Sequence, residues 1–141
     1  MEGALAEARD LGRHPRVPHP DDDTGADLLL TYGELASAAQ TAAAVVGRAT
    51  DAMAGALAAG PDIDVEEPAA VAALVDTAET VTARAALHIT TRVLELADAP
   101  GLDRFWRNAR VLTARGSAAH RLRAIGDHYL NGRYRSPAAH V

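Results

Sequence analysis

LDRFWRNARVLTARGSAAHRLRAIGDHYLNG, residues 102–132, decides how this chain reads. It holds the only Trp, Trp106, and the only Phe, Phe105. Leu102, Phe105, Ala109 and Leu112 recur at helical spacing, and so do Ala118, Leu122, Ile125 and Tyr129. The stretch therefore reads as two amphipathic helices joined at Arg115-Gly116-Ser117. Between residues 102 and 135 lie eight of the fourteen arginines and two acids, Asp103 and Asp127, a balance of about +6. The remainder, with seventeen acids and six arginines, stands near −11. A cationic end on an acidic helical body is a surface that faces anions. Arg104, Arg107 and Arg110 fall at i, i+3 and i+6, along one side of the fourth helix opposite Leu102, Phe105 and Ala109, with Asn108 beside them. Arg115 falls at the break, and Ser117 can cap the fifth helix. Guanidinium groups near the free N–H groups of a helix start suit a phosphate. The same residues fit a solvated basic face, or arginines paired with acids of the second and third helices.

Outward from this stretch the chain stays helical. Residues 4–12 read as a short first helix with Leu5, Ala8 and Leu11 on one face and Gly12 as its stop. Residues 13–25 form a loop rich in Pro and Asp, with the Asp run a solvated approach to the next helix. A second helix runs over 26–59, its seam drawn by Leu28, Tyr32, Leu35, Ala39, Ala42, Val46, Ala49, Met53 and Ala56. Gly33, Gly47 and Gly55 weaken it by roughly 1 kcal/mol each relative to Ala, or allow close approach at a seam. Gly60-Pro61 stops it. Pro68 then opens a third helix reaching about residue 97, with a broad apolar face from Val71 to Leu96 that contacts more than one neighbour. Arg123 and Asp127 are set for an i,i+4 pair on the fifth helix. Asn131-Gly132 ends that helix, and 133–141 are expected to form a flexible tail. No strand-like alternation appears. The expected fold is all-α, an antiparallel four-helix-bundle-like arrangement in a single domain over residues 1–141.

Composition narrows the function. Alanine dominates the apolar fraction and aromatics make up 4%, so the core must come from close helix contacts over small side chains. The chain has no Cys, which excludes disulfides, thiolate nucleophiles and cysteine–zinc sites. None of His14, His19, His88, His120, His128 and His140 pairs with an acid at a metal-binding spacing, so no metal is expected. His88 reads as a packed or helix-bonded residue. Nucleotide and serine-hydrolase fingerprints are missing. The acidic balance argues against nucleic acid. No apolar run reaches membrane length, and the start lacks a secretory pattern, so a cytoplasmic location is expected. There is no Lys, so every cationic side chain that is charged at all pH values of interest is a guanidinium.

LDRFWRNAR, a break, and then RAIGDHYLNG together resemble the C-terminal segment of the acyl-CoA dehydrogenase superfamily. Within it the pattern is nearest the flavin-dependent monooxygenases of the dibenzothiophene-monooxygenase type. Upstream, LLLTYGELASAA (28–39) looks like that family's second C-terminal helix, and AALHITTRVLELADA (85–99) like the helix leading into its flavin-side loop. The resemblance covers nearly the whole chain, but only the C-terminal all-α domain of the family. It implies a four-helix-bundle-like domain that builds an oligomer core. It also implies FAD or FMN bound between this domain, a β-domain and a neighbouring subunit. By position, Arg107, Asn108 and Arg110 match the family's R-N-x-R and would lie near the flavin or the interface. Arg115 matches the place of the dehydrogenases' catalytic carboxylate, where the monooxygenase branch usually has His. Gly116 and Ser117 resemble the Gly-Thr that follows it, which puts Ser117 on the cofactor side.

Three departures bear on activity. Arg115 cannot abstract a proton at neutral pH. The loop before L-D-R is shortened to ADAPG. The family's N-terminal helical domain and β-domain have no counterpart in this sequence. The expectation is therefore a C-terminal domain, fragment or split subunit of a flavin-dependent oxidoreductase, holding flavin and catalysing only with those domains supplied. Its partners are expected to be further copies of itself or a full-length flavoprotein. The alternative is a non-catalytic helical assembly or binding module derived from that family.

Overall fold

The structure is a computed structural model that describes residues 1–12, 23–60, 67–96, 101–114 and 118–134. These form five helices: α1 (Glu2–Gly12), α2 (Asp23–Ala59), α3 (Glu67–Leu96), α4 (Asp103–Thr113) and α5 (Ala118–Asn131). There is no strand among the described residues. The all-α class and the five expected helices are therefore present. Helix α2 begins at Asp23, so the end of the expected 13–25 loop is helical. Residues 13–22 lie outside the described residues.

The helices group into two compact units, Met1–Thr41 with Ala83–Arg115 and Ala42–Thr82 with Gly116–Val141. The first unit takes the start of α2 and the end of α3; the second takes the end of α2 and the start of α3. That pairing requires α2 and α3 to run antiparallel.

The first unit holds the large core residues. Leu35, Ile89, Val93 and Leu102 are each at most 1% exposed. Helix α1 buries Ala4 and Ala8 completely. The Tyr32 hydroxyl of α2 donates to the Ala8 carbonyl at 2.9 Å, and burial pushes its pKa upward. The edge of the Phe105 ring lies 3.7 Å from where a Cβ on Gly3 would sit. Only small side chains at Ala4 and Ala8 let α1 come this near.

The second unit is packed differently. Its buried apolar residues are alanines, Ala42, Ala49, Ala73, Ala78 and Ala124, joined by the polar Asp76 and Thr80. Two expectations fail here. On α2, Ala42 and Ala49 are buried as the seam requires, but Val46 and Met53 are 42% and 41% exposed. On α5, the expected apolar face points outward: Ala118, Leu122 and Tyr129 are exposed, while Arg121, Ile125 and His128 are partly covered and Ala124 is buried. The reason is polar. Arg121 reaches Glu79 of α3 at 3.2 Å, and the Tyr134 hydroxyl beyond α5 donates to Asp76 at 2.9 Å. These contacts set the rotation of α5 against its apolar stripe. Asp127 accepts from Asn131 at 2.7 Å in place of the expected pair with Arg123.

Helix α5 stops at Gly132, whose φ of 64° suits glycine and whose N–H donates to the His128 carbonyl at 2.9 Å. Of the expected flexible tail, Tyr134 makes a hydrogen bond to Asp76, and residues 135–141 lie outside the described residues. Among the described residues no helix is long and apolar enough to cross a membrane.

Two outcomes follow for stability. Leu102→Ala should cost about 2–5 kcal/mol, whereas Leu112→Ala, at a residue 69% exposed, should stay within about 0.5 kcal/mol in denaturant unfolding. Burial, and then the hydrogen bond to and charge of Asp76, push the Tyr134 phenol up to about 12. Its neutral form favours the folded state, so its contribution is complete below pH 10 and is lost as pH rises toward 12. Comparison of Tyr134→Phe with the parent by unfolding at pH 8 and pH 11 should show a smaller alkaline loss in the variant.

Candidate functional site

The basic side of α4 is built by the turn that precedes it. Gly101 has φ 93°, a conformation that favours glycine, and Arg104 folds back so that its Nη1 donates to the Gly101 carbonyl at 2.7 Å. The N–H of Phe105 donates to the carbonyl of Leu102 at 3.1 Å, closing the first turn. Leu102 and Ala109 are buried and Phe105 and Trp106 half-buried, which turns Arg104, Arg107, Asn108 and Arg110 outward. The expected amphipathicity holds except at Leu112, which faces solvent.

The arginines do not share one partner. Arg104 pairs with Glu7 of α1 and lies over the Phe105 ring, 4.4 Å from its centroid. Arg107 pairs with Asp103 one turn back at 2.7 Å. Arg110 stacks on Trp106, 5.1 Å from the ring centroid. The acids engaged thus come from α1 and from α4 itself, not from the second and third helices as one reading of the sequence expected. Exposed pairs of this kind contribute about 0–1 kcal/mol each, so they orient the side chains more than they stabilise the fold.

Among the described residues, Arg110 is the α4 arginine with an aromatic face and no carboxylate as partner. Stacking uses the flat of the guanidinium and leaves its N–H edge free to donate. This is the cation best able to meet an anion. Trp106 was the residue that sequence reasoning missed; its i,i+4 relation to Arg110 was the available signal. Asn108 is exposed but sits well around the helix from Arg110. Arg115 and Ser117 lie outside the described residues. His88 is exposed, not packed as expected. No group of His, Asp and Glu able to hold a metal occurs among the described residues.

No family model matches the chain. Comparison with curated proteins does find relatives. A dibenzothiophene monooxygenase from Mycolicibacterium goodii is 28% identical over 96% of this chain and 35% of its own length. One from Rhodococcus erythropolis is 30% identical over the same shares. Among solved structures, methanesulfinate monooxygenase MsuC from Pseudomonas fluorescens superposes with a TM-score of 0.83 at 29% identity, covering 96% of this chain and 38% of that one. FMN-bound TdsC from Paenibacillus sp. A11-2 gives 0.80 at 27% identity, covering 96% and 37%. The chain is therefore a homologue of a C-terminal part of flavin-type monooxygenases, on an acyl-CoA dehydrogenase-like fold. The relatives that place it there are the dibenzothiophene monooxygenases, and the chain spans about 35% of their length.

The stacked pair can be checked directly. Trp106 is the sole Trp, so the tryptophan emission of this chain comes from the ring on which Arg110 stacks. Arg110→Ala should change that emission while altering unfolding free energy by no more than about 1 kcal/mol. Arg107→Ala, which removes only the Asp103 pair, should leave the emission unchanged.

Proposed function

We propose that this chain works as a single helical C-terminal domain of a cytoplasmic flavin-dependent oxidoreductase of the acyl-CoA dehydrogenase and monooxygenase type. In this reading it supplies arginines to the flavin side and forms part of the oligomer core. The observation that carries it is the likeness over 96% of the chain to an FMN-bound monooxygenase structure, with a carboxylate-free guanidinium, Arg110, presented on the homologous domain. A flavin, FMN or FAD, supplies the redox chemistry when bound. The residues here fit the phosphate end of such a group. Arg110 offers N–H donors from a rigid stacked plane, and Arg107, 66% exposed, can exchange Asp103 for a phosphate at little cost. Asn108, turned away from Arg110 around the helix, and Ser117 are carried to the flavin side by their place in the family pattern alone.

Arg115 is assigned the family's catalytic position without its chemistry. A guanidinium stays protonated and neither takes nor gives a proton at neutral pH. The contribution of this chain is therefore positive charge and assembly, and proton transfer belongs to residues elsewhere. A second reading, a non-catalytic helical assembly module, is favoured by one observation: exposed apolar stripes on α2 and α5, including Leu57 at 83% and Tyr129 at 86%.

Titration of FMN and FAD into the purified chain, alone and with a flavoprotein supplying a helical and a β-domain, separates the two. Saturable binding is expected with the partner, weakened about tenfold by Arg110→Ala and less by Arg107→Ala. Saturable binding in neither arrangement would leave only the assembly module. Binding unaffected by both substitutions would remove the arginines from the site and keep the family reading.

A further inference from the structure

Arg104 ties three parts of the first unit together. Its Nη1 donates to the Gly101 carbonyl at 2.7 Å, its Nη2 pairs with Glu7 of α1, and its plane lies over the Phe105 ring. One guanidinium thus joins α1, the turn before α4 and the first turn of α4, all within the same unit. Gly101 makes the room. A Cβ there would lie 3.1 Å from the Arg104 Nη1, on a backbone whose φ of 93° already favours glycine. Leu102, buried at the N-cap position, anchors where α4 begins, but no side chain caps the helix. Of the described residues within α4 only Ala109 is buried, and a methyl group constrains rotation about the helix axis weakly. That rotation is left to the half-buried aromatic side chains and to the ties of Arg104.

Arg104 and Arg110 do not serve the same anion. They leave the helix about 120° apart around its axis and about 9 Å apart along it. Arg104 is engaged on its edge and on its face, whereas Arg110 is engaged on its face by Trp106. We infer that Arg104 is a positioning residue. Through its hold on Glu7 and on the Gly101 carbonyl it sets the rotation of α4, and so the direction in which Arg110 presents its N–H edge to a flavin phosphate, without touching that anion itself. This rests on the flavin-side role of Arg110 under the proposed function. It gives Glu7 an effect opposite to that of its charge. A carboxylate beside a cationic face repels an anion and competes for the arginine, so its removal ordinarily strengthens anion binding. Here Glu7 holds the arginine that orients the site, so its removal weakens binding.

FMN titrated into the chain with the flavoprotein partner tests this sign. Glu7→Gln should weaken binding about threefold, a modest factor because exposed pairs are individually weak. Arg104→Ala and Arg104→Lys should weaken it further, each with helix content by circular dichroism unchanged. The lysine keeps the charge but lacks the planar fork that serves two acceptors. In the chain alone, Glu7→Gln and Arg104→Ala should both shift the Trp106 emission, whereas Arg107→Ala should not. FMN binding that strengthens on Glu7→Gln would overturn the inference and make Arg104 an anion ligand. Binding retained in full by Arg104→Lys would overturn it in favour of charge alone. A Trp106 emission that neither Glu7→Gln nor Arg104→Ala moves would overturn it as well. If the parent chain binds no FMN with the partner, the flavin reading falls, and the emission of these variants still decides whether Arg104 orients α4.

Discussion

The constraint on which this structure depends is the scarcity of large apolar side chains. Among the described residues only Leu35, Ile89, Val93 and Leu102 are large and fully buried, and all four belong to the first unit. There the arrangement is conventional: each removes substantial apolar area from water, and α1 is laid close over Ala4 and Ala8. Among its described residues the second unit has no such side chain. Its buried positions are alanines and polar groups, and alanine contributes little area per residue. Orientation in that unit is consequently set by Asp76 with Tyr134 and by Glu79 with Arg121. Among the described residues the buried Oγ1 of Thr80, the Nε of Arg121 and the Nδ1 of His128 have no hydrogen-bond partner.

This contrast explains what the sequence made legible. All five helices could be read, because breaks at Gly12, Gly60-Pro61 and Pro100-Gly101 punctuate strong periodicity. The faces of α4 could be read because Leu102, Phe105 and the arginines differ sharply in polarity. The faces of α2 and α5 could not. In an alanine-rich helix the 3–4 pattern fits two adjacent stripes equally, and the inner one on α2 is the more alanine-rich. On α5 the stripe Leu122, Ile125, Tyr129 was the obvious core face, yet Arg121 and Tyr134 anchor the helix by long-range polar contacts that periodicity does not register.

The candidate site shows the same division. That arginines occupy one side of α4 was plain from spacing. Which of them is available was not, because availability depends on partners far along the chain: Glu7 for Arg104, and Asp103 and Trp106 for the other two. The family pattern R-N-x-R names Arg107, Asn108 and Arg110 equally, while the geometry separates Arg110 from the other two. Similarity over 96% of the chain and, at position 115, an arginine that stays protonated support the proposed reading of a domain that contributes placement and charge.

The tie between Tyr134 and Asp76 has a kinetic side. It joins residues 58 apart, and the last described residue makes it. Loop closure of that length is entropically unfavourable until α3 and α5 have each formed, so the tie is made late in folding. The carboxyl end of the chain is thus not a neutral attachment point. A fusion partner placed just after Tyr134 competes with the final step by which α3 acquires its second-unit neighbour.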